Sequence, residues 1–421
     1  MNEPSTLLGV GIAVTSDVSA SRSLRGTGFW RLWTNALLMG LVVSADRFTF
    51  IWLVDDTLGS PTWASGVVVF ALGAPVCALV LTAGALIDRN DRRRILLITQ
   101  TAGAAVLGAA ALMVGAGWVN LPGALLIAVV FGVVVAFALP VRSALVPAIV
   151  GPQRVMHAVV IMTIGTNVAM IVGPLLAGGV IDQRGVAWAF GVQACCLVAG
   201  VGTAWRLEIP PHPVTTDRPR LRSDIAVGLR YIWHHPELRA LFGLLCVGGG
   251  LMAGGSFTLL PRLARDEFGR SAGDAARLFA LLGLGMVSMS LLLMRFRSRI
   301  TRRGLVFMCF LVAGTTGQIL QGLTPSFVTL EILMVLWGFT GGMYLNLNQS
   351  LIQELTPPDR MGRVVALSTL VNAGLLPIGG LVAGVAASLL GVRAALSLFG
   401  TVALCCVLTA LVRAKGLRAL A

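Results

Sequence analysis

Asp46 stands in the run SADRFTFIWLV, Ser44 to Val54, with long apolar stretches on both sides. A carboxylate in such surroundings either takes up and releases a proton, because burial favours its neutral form, or sits in a water-filled mouth. Arg47 follows directly, but neighbours on a helix project about 100° apart, so adjacency does not make the two a pair. Glu331, near the start of the apolar run TLEILMVLW, is a second carboxylate of this kind. Uncharged polar residues are scattered through other apolar runs, among them Asn35, Thr163, Asn167, Gln318, Gln321, Asn346, Asn348 and Gln349. Such residues either line a path for a polar solute or bond one helix to another. Asn35, Arg47, Asn167, Gln318 and Asn346 form the candidate cavity set.

Other chemistries lack their residues. The sequence has no G-x-x-x-x-G-K-[ST] phosphate loop, which argues against direct ATP drive. His157, His212, His234 and His235 fall in loops or at the ends of apolar runs, without a nucleophile and base around them. The seven cysteines sit within apolar runs without metal-ligand spacing, as small packing residues do. We therefore expect no enzyme, no cofactor and no metal, and an ion gradient as the source of energy.

The elements that hold these residues follow from composition. With 56% hydrophobic and 12% charged residues and a mean hydropathy of +0.87, the chain has too little polar surface for a water-facing globule. Apolar segments long enough to cross a hydrocarbon core of about 30 Å recur throughout. They fall at about 29–54, 63–87, 95–117, 121–146, 155–181, 186–205, 239–261, 275–296, 304–323, 327–353, 363–390 and 391–413. The expected fold is an all-α membrane protein of twelve spans.

The net charge of +14 is distributed as in a membrane protein, not as in a nucleic-acid binder. Arginines crowd before the first span and after every second one, which by the positive-inside rule predicts cytoplasmic termini. One connection is untidy: after the seventh span Arg262, Arg265, Asp266, Glu267, Arg270 and Arg277 mix both signs.

The chain also repeats itself. Arg89, Arg92 and Arg93 in DRNDRRRIL align with Arg299, Arg302 and Arg303 in SRITRRGLV, each after the second span of its half. GPQR ending at Arg154 parallels PPDR ending at Arg360, and Pro174 parallels Pro377. The expected organisation is a cytoplasmic tail at 1–28, a six-helix bundle at 29–205, a linker at 206–238, a second six-helix bundle at 239–413 and a tail at 414–421. Ile225, Leu229 and Ile232 opposite Arg222 and Arg230 predict an interfacial helix in the linker. Two pseudo-symmetric bundles are an architecture of secondary transporters, whose substrate sites lie between the repeats.

Gly84, Asp88, Arg89, Arg92 and Arg93 match the G-x-x-x-D-R-x-x-R-R signature between the second and third helices of the major facilitator superfamily, which the chain resembles. VGPLLAGG, with Gly173, Pro174, Gly178 and Gly179, resembles that family's fifth-helix exporter element. FWRLWTN, SADRFTFIWLV, LRYIWHHPELRAL and NQSLIQELTPPDRMGRVVA are similar to the branch holding enterobactin exporters and actinobacterial multidrug efflux proteins. Asp91 stands where the signature has glycine, and Ala169 where many exporters have a further glycine.

The resemblance implies alternating access, with Asp88 latching one state and pairing with a helix-four arginine, here Arg142. It implies export of a small amphipathic molecule in exchange for protons. The implied setting is the bacterial inner membrane, with lipids around a monomer and no nucleic-acid partner. The rivals are an importer on the same fold and a lipid-handling membrane protein.

Overall fold

The computed structural model describes residues 28–87, 89–207, 221–296 and 302–420. The N-terminal tail, Asp88 and the Pro-rich part of the linker lie outside these residues. The described chain is helical, with no strand. In order, the helices are α1 (Phe29–Thr57), α2 (Trp63–Ile87), α3 (Arg92–Gly115), α4 (Leu121–Val150), α5 (Val155–Arg184), α6 (Val186–Trp205) and α7 (Leu221–His234). There follow α8 (Pro236–Glu267), α9 (Ala272–Phe296), α10 (Arg303–Leu323), α11 (Phe327–Glu354), α12 (Met361–Leu390), α13 (Val392–Arg413) and the short α14 (Lys415–Ala419). Among the described residues twelve of these, all but α7 and α14, are long and apolar enough to cross a bilayer.

Local chemistry fixes the helix ends. Asp91 caps α3, its carboxylate accepting from the backbone N–H of Arg93 at 2.8 Å and of Arg94 at 3.4 Å. Its φ of −62° needs no glycine, which explains how aspartate fits a position that the signature gives to glycine. Asn120 caps α4 and Ser326 caps α11 in the same way. Two corresponding joints, α5 to α6 and α12 to α13, turn on one glycine each, Gly185 and Gly391, both at φ +87°. The first helix of each half also ends alike: Leu53–Thr57 in α1 and Leu263–Glu267 in α8 are both π-helical turns.

The helices pack as two sets, α1 to α6 and α8 to α13, that meet along α2 with α12, α5 with α9, and α1 with α8. Small residues make the meeting close. A Cβ on Gly66 would lie 2.6 Å from the Gly380 carbonyl, and one on Gly178 2.5 Å from the Ala276 Cβ. Large apolar side chains such as Leu112, Val198, Leu323 and Leu389 are exposed on the outer surface, as lipid-facing residues should be. Exposed Trp118 and Trp188 lie toward one end of the bundle and Trp205 and Trp233 toward the other, at the two levels where interfacial tryptophans belong. We call the end that carries the chain termini the terminal face, and the opposite end the distal face.

The linker helix α7 docks on α12. Tyr231 and Ile232 are buried, Gly228 lies against Leu367, and the Arg360 guanidinium stands 4.5 Å from the Tyr231 ring. Of the apolar residues expected on one face of this helix, Ile232 is buried and Leu229 is exposed, beside Val227 and Trp233.

Candidate functional site

Four helices of the first half converge on Asn35. Its amide nitrogen is shared among Gln100 Oε1 on α3 at 3.0 Å, the Gly200 carbonyl on α6 at 2.9 Å and Thr203 Oγ1 at 3.1 Å. Its Oδ1 accepts the Arg142 Nε–H of α4 at 3.1 Å. Arg142 is 5% exposed and donates once more, to the Ala138 carbonyl at 2.6 Å, while its Nη2 is buried without a partner among the described residues. Among the described residues its acceptors are all neutral, an arrangement that costs free energy unless an anion reaches it. Asp88, the expected partner, lies outside the described residues.

Asp46 is 6% exposed, buried among the helices of the protein. Its Oδ1 accepts from the backbone N–H of Arg47, and no ion pair reaches it among the described residues. At about 100° per residue it lies roughly 20° around α1 from Asn35, on the stripe that also carries Val42 and Thr49. Thr49 accepts from Gln193 of α6 at 2.8 Å, so this stripe faces the interior of the first half. Arg47 projects elsewhere, its guanidinium 5.9 Å from the ring of Phe257 on α8. Between the halves, then, α1 presents the cation and withdraws the acid. Around Phe257 the rings of Phe279 and Trp337, and Phe48 beyond Phe279, form an aromatic layer across both halves.

On the distal side of that layer lies a clasp that the sequence reading missed. Arg262 Nη1 meets Asp55 Oδ1 at 2.8 Å, with side-chain exposures of 9% and 2%. Ser65 donates to the same carboxylate oxygen, and Arg262 Nε also bonds Asp266 at 2.9 Å. Arg265 bonds Asp266 at 2.8 Å and approaches Asp56 at 3.8 Å. A second tie joins α5 to the start of α9, where Asp182 accepts from Ser271 Oγ at 2.7 Å and from the Gly273 N–H at 2.9 Å. Between described residues, the hydrogen bonds and ion pairs that cross from one half to the other lie at this distal face. The signal for it was present in the sequence: the mixed charges after the seventh span complement Asp55 and Asp56 after the first.

The remaining candidates are dispersed. Gly84 is partly buried at the end of α2 and Arg89 is exposed. Arg92 donates to the Ala144 carbonyl on α4 at 3.1 Å and Arg93 to the Trp205 carbonyl at the end of α6, so these two arginines staple helix ends within the first half. In VGPLLAGG the glycines differ: Gly173 packs on α1, 2.7 Å from the Leu41 carbonyl to its would-be Cβ, Gly178 packs on α9, and Gly179 has open space. Pro174 is buried. Glu331 pairs with Arg277 at 2.6 Å near the distal end. Gln318 is fully buried and donates to the Leu251 carbonyl at 2.9 Å, bonding α10 to α8. Asn167 is partly buried on α5 with no hydrogen bond among the described residues. Asn346 donates to Ser290 at 3.0 Å and lines, with Ser350 and Arg303, a recess of about 240 Å³ between α9 and α11.

Comparison with known proteins agrees with this architecture. A family model described as the Major Facilitator Superfamily matches residues 32–376. The chain is 27% identical over 333 residues to the enterobactin exporter EntS of Escherichia coli O1:K1, covering 76% of this chain and 77% of that protein. EntS of Shigella boydii serotype 4 matches equally. Among solved structures, the nucleoside transporter NupG superposes with a TM-score of 0.70 at 14% identity, covering 93% of this chain and 99% of that one. A bacterial homologue of the human lysosomal transporter Spinster gives 0.68 at 16% identity, covering 94% and 98%. With twelve spanning helices, two packed sets and a family match over most of its length, the chain belongs to the Major Facilitator Superfamily and is a multi-pass membrane transporter.

Proposed function

We propose that this transporter exports a small amphipathic molecule from the cytoplasm of a bacterium across the inner membrane, in exchange for protons, as a monomer. The observation that carries the reading is the buried clasp of Asp55 and Arg262, which ties the two halves at the distal face. The arginine distribution favours a cytoplasmic terminal face, so the clasped distal face is the outer one and the state is open toward the cytoplasm. That is the state in which an exporter loads.

The similarity to EntS supports export and makes siderophore-like compounds the first substrate class to try. Drug-like amphiphiles come second, because the aromatic layer of Phe48, Phe257, Phe279 and Trp337 offers stacking surface without a fixed set of donors. Arg47, at the edge of that layer, is the group to meet an anionic part of the substrate. Asp46 is the proposed proton carrier, with Glu331 second. Asp88 and Arg142 are proposed to pair in the opposite state, where the terminal face closes.

Everted vesicles from cells that produce the protein, energised to be acidic inside, test this with a panel of siderophores and drugs. Accumulation that collapses with a protonophore supports proton-coupled export. Accumulation in right-side-out vesicles instead assigns import on the same fold.

A further inference from the structure

The flank of the second half carries a recess apart from the clasp and the aromatic layer. It lies between the start of α8 and the end of α13 and has a volume of about 580 Å³. Gly243, Val247, Cys406 and Thr409 line it, and Arg239 and Arg413 stand at its terminal-face end. From the arginines to Val247 the recess runs about 12 Å along the helix, within the half-thickness of a hydrocarbon core, about 15 Å.

Three observations say what fits there. Arg239 and Arg413 are exposed and neither has a carboxylate partner among the described residues. Glu237, the nearest acid in sequence, turns instead toward Gly416 of α14. The Arg239 guanidinium lies 5.8 Å from the ring of exposed Trp233, which marks the level of the membrane interface. Beyond the arginines the wall is mostly apolar, and a Cβ on Gly243 would meet nothing within 4 Å, so the recess is open along its length. Two forked cations at headgroup depth, above a chain-width apolar channel, complement a phosphate ester with an acyl tail.

We propose that this recess binds an anionic phospholipid. The phosphate sits between Arg239 and Arg413, the Thr409 hydroxyl meets the glycerol region, and one acyl chain runs over Gly243 toward Val247 and Cys406. The site holds for either direction of transport.

Native mass spectrometry of the full chain in detergent tests it, with titration of phosphatidylglycerol, of phosphatidylcholine with the same chains, and of glycerol phosphate. One phosphatidylglycerol should be retained under activation that strips phosphatidylcholine, and glycerol phosphate should not displace it. The double variant Arg239→Gln with Arg413→Gln should weaken retention at least about tenfold. The equal-charge control Arg94→Gln with Arg302→Gln should not. Gly243→Leu fills the channel while keeping both arginines and should also weaken retention. Retention in the double variant equal to that of the control would overturn the site. Displacement by glycerol phosphate, or full retention by Gly243→Leu, would reduce it to a surface anion contact and overturn the lipid.

Discussion

Asp55 and Arg262, 207 residues apart in sequence, meet at 2.8 Å where the first helix of each half ends in a π-helical turn. The wide turn adds a residue to the helix end and sets the carboxylate of one half against the guanidinium of the other. Both are buried here and the pair joins the two halves, so it should bear on the balance between states as well as on folding. Removing one partner leaves a buried unpaired charge, a cost of about 3–5 kcal/mol borne by the closed distal face. Arg262→Gln should therefore shift the population toward an open distal face by more than about tenfold. Spin labels at Thr57 and Arg270, on a background lacking exposed cysteines, read this as a longer distance. The exchanged pair Asp55→Arg with Arg262→Asp should restore much of the closed population.

VGPLLAGG gives a sharper test because its last two glycines differ. A Cβ at Gly178 meets Ala276 at 2.5 Å and the Ala272 carbonyl at 2.6 Å, whereas one at Gly179 meets nothing within 4 Å. Gly178→Leu should hold the halves apart at the distal face and abolish transport at near-normal expression, while Gly179→Leu should transport normally. Equal activity of the two variants would show that the close approach to α9 is dispensable.

The twelve spans were legible because apolar length is a direct record of the bilayer, and their ends shifted for local reasons. α3 starts at Arg92 rather than near residue 95, because Asp91 caps it, and α8 continues to Glu267 rather than ending near 261, because its last turn carries the clasp. That Asp46 lies within an apolar run was readable in the sequence, but its direction was not. Only the contacts of Asn35 and Thr49 reveal that their stripe faces inward and leaves Arg47 at the interface. The clasp escaped because it joins two connections far apart in sequence, of which only the one after the seventh span stands out by its mixed charges. Only their opposite charges, compared across the halves, point to it.

Asp91 offers a small, quantitative check on the cap. Its side chain accepts two backbone N–H groups of α3. Asp91→Ala should cost about 1 kcal/mol, and Asp91→Gly only a few tenths, since glycine lets water reach the same donors. Thermal unfolding in detergent should rank wild type, glycine and alanine in that order.

Asn35 is the hub of the first half, and its loss should be felt in stability before transport. Asn35→Leu strips the Arg142 Nε–H and the Gln100 carbonyl oxygen of their partner, and each buried orphan costs about 1–3 kcal/mol. A melting temperature well below that of wild type is expected. Asn35→Asp should recover part of the loss, because its carboxylate still accepts the Arg142 Nε–H.

Asp46 separates coupling from binding. A carboxylate that carries a proton must be neutral in one state and charged in the other, so its surroundings must change with conformation. Here it is buried on the stripe facing the first half, without an ion pair among the described residues, while Arg47 beside it faces Phe257. Asp46→Asn fixes the neutral form and should abolish accumulation driven by a pH gradient while sparing downhill exchange. Arg47→Gln should do the reverse, weakening apparent affinity for an anionic substrate with gradient drive intact. The Arg47 effect should shrink as salt is raised, since attraction to a partly exposed cation is screened, whereas the Asp46 effect should not. Vesicle uptake with and without a proton gradient, at two salt concentrations, reads all four outcomes. Gradient-driven accumulation by Asp46→Asn would move the proton to another carboxylate. Glu331 is then the next to test, and its pairing with Arg277 at 2.6 Å requires that this ion pair open once in every cycle.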